Sequence, residues 1–278
     1  MKVMITGSDG QLGREFMEYL EDRGLDVIGF NRKQLDVTDV SLMQNIITKE
    51  KPSFIIHCAA YTKVDLAEDE IKQAYRINAD AVKELAIIAE RVNATLIYIS
   101  TDFVFDGKKK TPYHESDRPN PISVYGQSKL VGETYVKEIC SKYFIVRTSW
   151  LYGNYGPNFV RTMLTLSEKQ KKLSVVDDQI GSPTYTKDLV KSIVDELFES
   201  NQYGIFHLSN DGFCSWFDFA KEIFKTTEKE VAISPVSSEV YNAKARRPAY
   251  SVLANNKTKI RLRNWKVALH TYLGELNE

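Results

Sequence analysis

Cysteine is scarce in this 278-residue chain: Cys58, Cys140 and Cys214 stand far apart and form no CxxC pair. That spacing suggests neither a disulfide framework nor a cysteine-rich zinc site, and it fits a reducing compartment. The four histidines, His57, His114, His207 and His270, are equally dispersed, which argues against a histidine-built metal centre while leaving carboxylate ligands open. Charge of one sign is missing too: 37 Lys plus Arg balance 37 Asp plus Glu, so no overall field draws the chain to nucleic acid or an anionic membrane. No apolar run is long enough to cross a bilayer, and the opening MKVMITGSDG enters a strand-like run with no room for a signal peptide. The expectation is a cytoplasmic protein with no nucleic-acid partner and no membrane partner.

What the chain does have is rhythm. KVMIT (2–6), DVIGF (26–30), FIIHC (54–58), TLIYIS (95–100) and FIVRT (144–148) are apolar runs too short and too rich in β-formers for helices. Between them lie helix patterns. In the first, Leu12, Phe16, Tyr19 and Leu20 share a face and Gly24 is placed to end the helix after Arg23; a long one covers roughly 66–93, broken once. Strand–helix–strand repetition implies a doubly wound parallel sheet of the Rossmann type, because parallel strands need crossover connections. After Trp150 the pattern changes to scattered Gly and Pro between helical stretches such as 186–199 and 215–227. The expected division is a dinucleotide-binding domain over 1–150 and, over 151–278, mainly a smaller mixed substrate-binding lobe with some segments returning to the first domain.

The first strand runs directly into Gly7-Ser8-Asp9-Gly10-Gln11-Leu12-Gly13, which opens the first helix. Glycines there permit a tight turn and close approach of backbone to a pyrophosphate, while the helix N-terminus supplies free N–H groups and partial positive charge. At the end of the second strand stand Asn31, Arg32 and Lys33, where an NAD site usually carries an acid for the ribose hydroxyls. Asn31 does not repel a 2′-phosphate and Arg32 or Lys33 can pair with it, so the residues lean toward NADP. Ala59 and Ala60, after strand three, are small enough to let a cofactor lie close.

Strand four ends in Ser100-Thr101-Asp102-Phe103, at the edge where such sheets hold their ligands. Some 24 residues on comes VYGQSK, in which Tyr125 is the sole tyrosine of the 15 with a lysine, Lys129, four positions later. Four residues apart on a helix is one face. A phenol has a pKa near 10, and moving it about three units takes roughly 4 kcal/mol of differential stabilisation. A cation within about 4–6 Å supplies about 1–3 units, and Lys129 is the cation at hand. Thr101, Tyr125 and Lys129 thus read as proton-transfer chemistry beside a nicotinamide.

GSDGQLG, ISTDFVFDG, YGQSK and RTSWLYG, together with LDVTD, HCAAYTKVD, DDQIGSPT and RRP, resemble the extended short-chain dehydrogenase/reductase superfamily and, within it, the dTDP-4-dehydrorhamnose reductases, over essentially the whole chain. The resemblance implies reduction of a nucleotide-sugar substrate, dTDP-4-dehydro-L-rhamnose, with Thr101, Tyr125 and Lys129 as the catalytic triad. Tyr125 would be the proton donor, Thr101 would bond the same keto oxygen, and Lys129 would hold the nicotinamide ribose and tune Tyr125. It also implies substrate contacts at Val64, Asp102, Phe103 and Trp150, an adenine site at Asp36 and Val37, and a cofactor wall at Ala59, Ala60, Tyr61 and Thr62. NADPH is the cofactor expected, with NADH as an alternative. Some members form a homodimer around magnesium held by carboxylates; Glu15 matches one such position, no complete ligand set is visible, and magnesium and dimer stay open.

Three other readings compete. A sugar-nucleotide dehydratase of this superfamily carries Asp-Glu after the threonine, and here Phe103 follows Asp102, so the eliminating base is missing. Another sugar-nucleotide reductase or a 4-epimerase can use the same triad. A non-catalytic NADP-binding subunit, resembling the regulatory subunit of methionine adenosyltransferase, shares the fold. Elsewhere, Lys108-Lys109-Lys110 reads as a solvated turn, Trp216 and Phe217 as core, and Arg246 and Arg247 before Pro248 as candidates to grip a diphosphate, Arg247 first.

Overall fold

The computed structural model describes residues 1–257 and 261–276. The chain runs β1 (Lys2–Thr6), α1 (Gln11–Asp22), β2 (Asp26–Phe30), α2 (Val40–Glu50), β3 (Phe54–His57), α3 (Val64–Ala67), α4 (Ile71–Tyr75), α5 (Ala81–Arg91), β4 (Thr95–Thr101), α6 (Val124–Ile139) and β5 (Tyr143–Thr148). It continues with β6 (Leu151–Tyr152), α7 (Phe159–Lys169), β7 (Lys172–Val176), β8 (Ile180–Gly181), β9 (Thr184–Tyr185), α8 (Thr186–Ser192), β10 (Gly204–His207), β11 (Cys214–Ser215), α9 (Trp216–Thr226), β12 (Ala232–Val236), α10 (Ser238–Tyr241) and α11 (Trp265–Glu275).

The expected strands form one six-stranded sheet in the order β10-β5-β4-β3-β1-β2, every pair parallel. Alternate side chains feed two cores. Val3, Ile5, Ile97, Phe144 and Val146 pack on one face against Leu12, Phe16 and Leu20 of α1 and Leu189 and Val190 of α8. Met4, Ile55, Leu96, Tyr98 and Ile145 pack on the other against α2, α5 and Val136 of α6. Burial on both faces is why these strands read as continuous apolar runs.

Local signals set the helix ends. Gly24 sits at φ 66°, and the backbone bonds Gly24 N to Glu21 O (2.9 Å) and Leu25 N to Leu20 O (3.0 Å) close α1. Ser123 starts α6, its hydroxyl accepting from Gly126 N at 3.2 Å. The long pattern at 66–93 is broken at Glu68–Glu70, and α4 runs through a π-helical turn, Arg76–Asp80, into α5.

After β5 the chain builds a third core around Tyr152, Phe219, Trp265 and Tyr272. Residues 186–207 lie outside that core: α8 packs on α1, and β10 adds to the open edge of β5, Gly204 opposite Phe144 and His207 opposite Arg147. Pairing of β12 with β7 and of β11 with β8 completes the smaller lobe.

Candidate active site

Strand order reverses around β1, with β3 on one side and β2 on the other, so the loops after β1 and β3 diverge and leave a crevice at their carboxyl ends. A cavity of about 710 Å³ opens there and extends past β4 to the smaller lobe. Its floor is the glycine turn. Gly7 has φ 68°, and a Cβ on it would lie 2.8 Å from Ala59 N; a Cβ on Gly13 would lie 2.2 Å from Gly7 O. Both positions demand glycine, and together they bring bare backbone to the cavity wall at the start of α1. Gly7, Gly10, Gln11, Leu12, Arg32, Asp36, Val37, Ala59, Ala60 and Thr62 all line it. The cradle therefore fits a dinucleotide.

Four residues singled out for the cofactor, Gly13, Asn31, Lys33 and Tyr61, do not line the cavity. Gly13 serves the turn from behind. Asn31 spends its side chain on the amides of Lys33 (2.9 Å) and Gln34 (3.1 Å). Tyr61 turns its phenol to Glu70 (2.8 Å), and its amide donates to Asn78 Oδ1 (2.8 Å). Arg32 is free by contrast, 76% exposed with only a 3.9 Å approach to Asp36.

Thr101 ends β4, and Tyr125 and Lys129 lie on the first turns of α6; all three face the cavity. The Thr101 hydroxyl is within hydrogen-bonding reach of the Tyr125 phenol and also accepts from Phe103 N at 3.1 Å. The edge of Tyr125 meets Phe103, centroids 5.6 Å apart at 74°. Burial pushes the Tyr125 phenol up to about 12, the Thr101 hydroxyl pulls the other way and Asp102 adds to the rise. The Lys129 ammonium donates to Ile99 O at 2.7 Å and lies 4.0 Å from the Tyr98 ring centroid. Burial lowers Lys129 to about 7, against the raising influence of Glu133 and Cys58. The setting is dry enough that the cation has to be kept charged before it can help the phenol.

Val64, Asp102, Phe103 and Trp150, the residues expected to contact substrate, also line the cavity. Burial raises Asp102 to about 6, with the Ser251 and Thr101 hydroxyls opposing. Trp150 stands at φ 48°, its ring stacked on Trp216 (3.5 Å, 7°) and its edge where a Cβ on Gly181 would come within 2.5 Å. Trp216 is thus a cavity residue and not core alone, as its position at a helix start had suggested; the stack joins residues 66 apart in sequence and leaves no local pattern. Ser100, Thr148 and Ser149 were likewise missed, though Ser100 is legible as the neighbour of Thr101. Arg247 does not line the cavity. It pairs with both oxygens of Asp65, at 3.0 and 2.7 Å, while Lys244 bonds Asp69, tying the 244–247 segment to α3 and its following loop. Glu15 is buried, accepts from Thr186 Oγ1 at 2.9 Å, and has Lys187 as its neighbouring cation.

A family model described as RmlD substrate binding domain matches residues 1–278. A solved structure of dTDP-4-dehydrorhamnose reductase from Bacillus anthracis, in complex with NADP, superposes with a TM-score of 0.96 at 46% identity, covering 99% of both chains. Spore coat polysaccharide biosynthesis protein SpsK of Bacillus subtilis is 43% identical, over 99% of this chain and 97% of its own. The dTDP-4-dehydrorhamnose reductase of Aggregatibacter actinomycetemcomitans is 39% identical, over 96% and 97%.

Proposed function

The chain belongs to the RmlD family of nucleotide-sugar oxidoreductases, and from that premise we propose that it reduces the 4-keto group of dTDP-4-dehydro-L-rhamnose with NADPH, giving dTDP-L-rhamnose. The observation that carries this reading is the meeting of Thr101, Tyr125 and Lys129 on one wall of a cavity floored by the glycine turn. NADPH, when bound, supplies a hydride to the carbonyl carbon. Tyr125 gives its phenolic proton to the carbonyl oxygen, and Thr101 donates a hydrogen bond to that oxygen as charge gathers on it. Lys129 holds the nicotinamide ribose. Arg32 takes the 2′-phosphate, Asp36 and Val37 border the adenine, and the first-turn amides of α1 face the pyrophosphate.

Residues 151–278 contribute mainly to the sugar-nucleotide side, with Val64, Asp102, Phe103 and Trp150 around the sugar. Arg247 joins them only if the diphosphate draws it from Asp65. A cytoplasmic location is in keeping with the three free cysteines and with the finding that no helix among the described residues is long and apolar enough to cross a membrane. The test is NADPH consumption with dTDP-4-dehydrorhamnose beside GDP- and UDP-linked ketosugars. Turnover confined to the dTDP sugar is expected, with Arg32→Ala raising KM for NADPH more than for NADH. Cofactor binding without turnover on any ketosugar would favour the non-catalytic reading.

A further inference from the structure

Lys129 does not stand alone on its helix face. One turn on, Glu133 is 1% exposed and held from two strands: Arg147 of β5 donates to both its oxygens, Nε to Oε1 at 2.9 Å and Nη2 to Oε2 at 2.6 Å, and Ser100 of β4 donates to Oε1 at 2.5 Å. Ser100 and Arg147 are register partners, so both side chains rise toward α6 from the same row of the sheet. Tyr98, two residues back on the same face, is the ring under the Lys129 ammonium. On β4, then, Tyr98 lies under the lysine and Ser100 bonds the carboxylate that follows it on α6. Arg147 Nη1 lies 3.4 Å from His207 Nε2 on β10, whose Nδ1 is 3.0 Å from Tyr113 O, so the clamp is anchored on three strands.

A buried ion pair of this kind is poor value for stability, since well-packed apolar residues of similar volume commonly do as well or better. Its position supplies another use. We propose that Glu133, clamped by Arg147 and Ser100, is a positioning residue for the active-site lysine: a fixed carboxylate one helical turn behind Lys129 that keeps the ammonium charged and seated over Tyr98. The inference rests on the reading of Lys129 as the cofactor-side cation. The other groups facing Lys129 are uncharged in this setting: Tyr98, Tyr125 and Cys58 are held protonated by burial, and His57, at the end of β3, is held neutral, lowered to about 3. Glu133 is thus the carboxylate that acts on Lys129, and Arg147, the cation that fixes its place, offsets part of its field.

The lysine signal lost in Lys129→Met should be followed by NMR of ¹³Cε-labelled protein across pH. In Glu133→Gln its midpoint should fall by about one unit, a tenfold loss of the charged form at a fixed alkaline pH. NADPH affinity, by fluorescence titration, should begin to weaken at correspondingly lower pH. The double variant Glu133→Gln with Arg147→Met removes both buried charges, so it should fold at least as well as the single variant; the loss of the Arg147 cation offsets part of the effect, so its midpoint should still fall but by less, and it carries the test if Glu133→Gln alone does not fold. An unchanged midpoint in these variants would overturn the proposal, whatever happens to stability. The NMR titration needs neither substrate nor turnover. If Lys129→Met leaves NADPH affinity untouched, the ribose role fails while the midpoint result stands on its own.

Discussion

At the scale of single residues, burial governs the site more than pairwise attraction does. Tyr125→Phe keeps the ring against Phe103 and removes only the transferable proton, so kcat should fall about 10²- to 10⁴-fold with NADPH affinity nearly unchanged. Lys129→Met should weaken NADPH binding and kcat together. Stopped-flow turnover with a deuteride isotope effect checks the contrast; near wild-type chemistry in Tyr125→Phe would remove it as the acid. Asp102 makes a second, independent prediction. Its folded pKa is raised from 3.8 to about 6, so the unfolded chain gives up this proton first. The contribution to stability is intact below about pH 4 and is lost as pH rises through 6, a cost of about 3 kcal/mol. Asp102→Asn should therefore raise the urea midpoint at pH 8 and leave it unchanged near pH 4. The tyrosine and lysine were legible because one helix face and one strand end brought them together. Trp216 was not, since its partner Trp150 is found only across the lobes, and neither was the desolvation of Lys129, which comes with its burial over Tyr98 of the sheet.

At the scale of elements, α6 has little slack in its placement. Gly126, between Tyr125 and Lys129, lies where a Cβ would come 2.2 Å from Phe103 O, so helix and loop touch backbone to side-chain position. Gly126→Ala must part them by roughly 1 Å, and a misplacement of that size costs about 10²-fold in rate. Overpacking adds about 1–3 kcal/mol of destabilisation. The expected result is kcat/KM down at least 10²-fold in a protein that still binds NADPH; wild-type kinetics would show that α6 can shift freely. Strands and the start of α1 were readable because buried parallel strands and a glycine turn each leave a contiguous pattern. The π-helical turn at Arg76–Asp80 and the pairing of β7 with β12 were not, since one is a local detour inside a periodic run and the other joins segments 60 residues apart.

At the scale of the molecule, the sheet is completed by a strand that comes late. A fragment ending at residue 150 would leave Phe144, Ile145 and Val146 on an edge with no partner, and would lack the α8 residues that cover α1. Residues 1–150 made alone should sediment as aggregate or bind ANS strongly, and should not bind NADPH; a soluble monomer with native NADPH affinity would refute this. The same arrangement bears on synthesis. Between the end of β5 at Thr148 and the start of β10 at Gly204 the ribosome must add 55 residues, which at about 5–20 residues per second takes roughly 3–11 seconds. For that interval the nascent chain holds its glycine turn and the Tyr125 and Lys129 side chains of α6 beside a bare, apolar strand edge. During those seconds the growing chain carries an unpaired apolar edge open to aggregation, and a slow-codon stretch between 149 and 203 would lengthen its exposure.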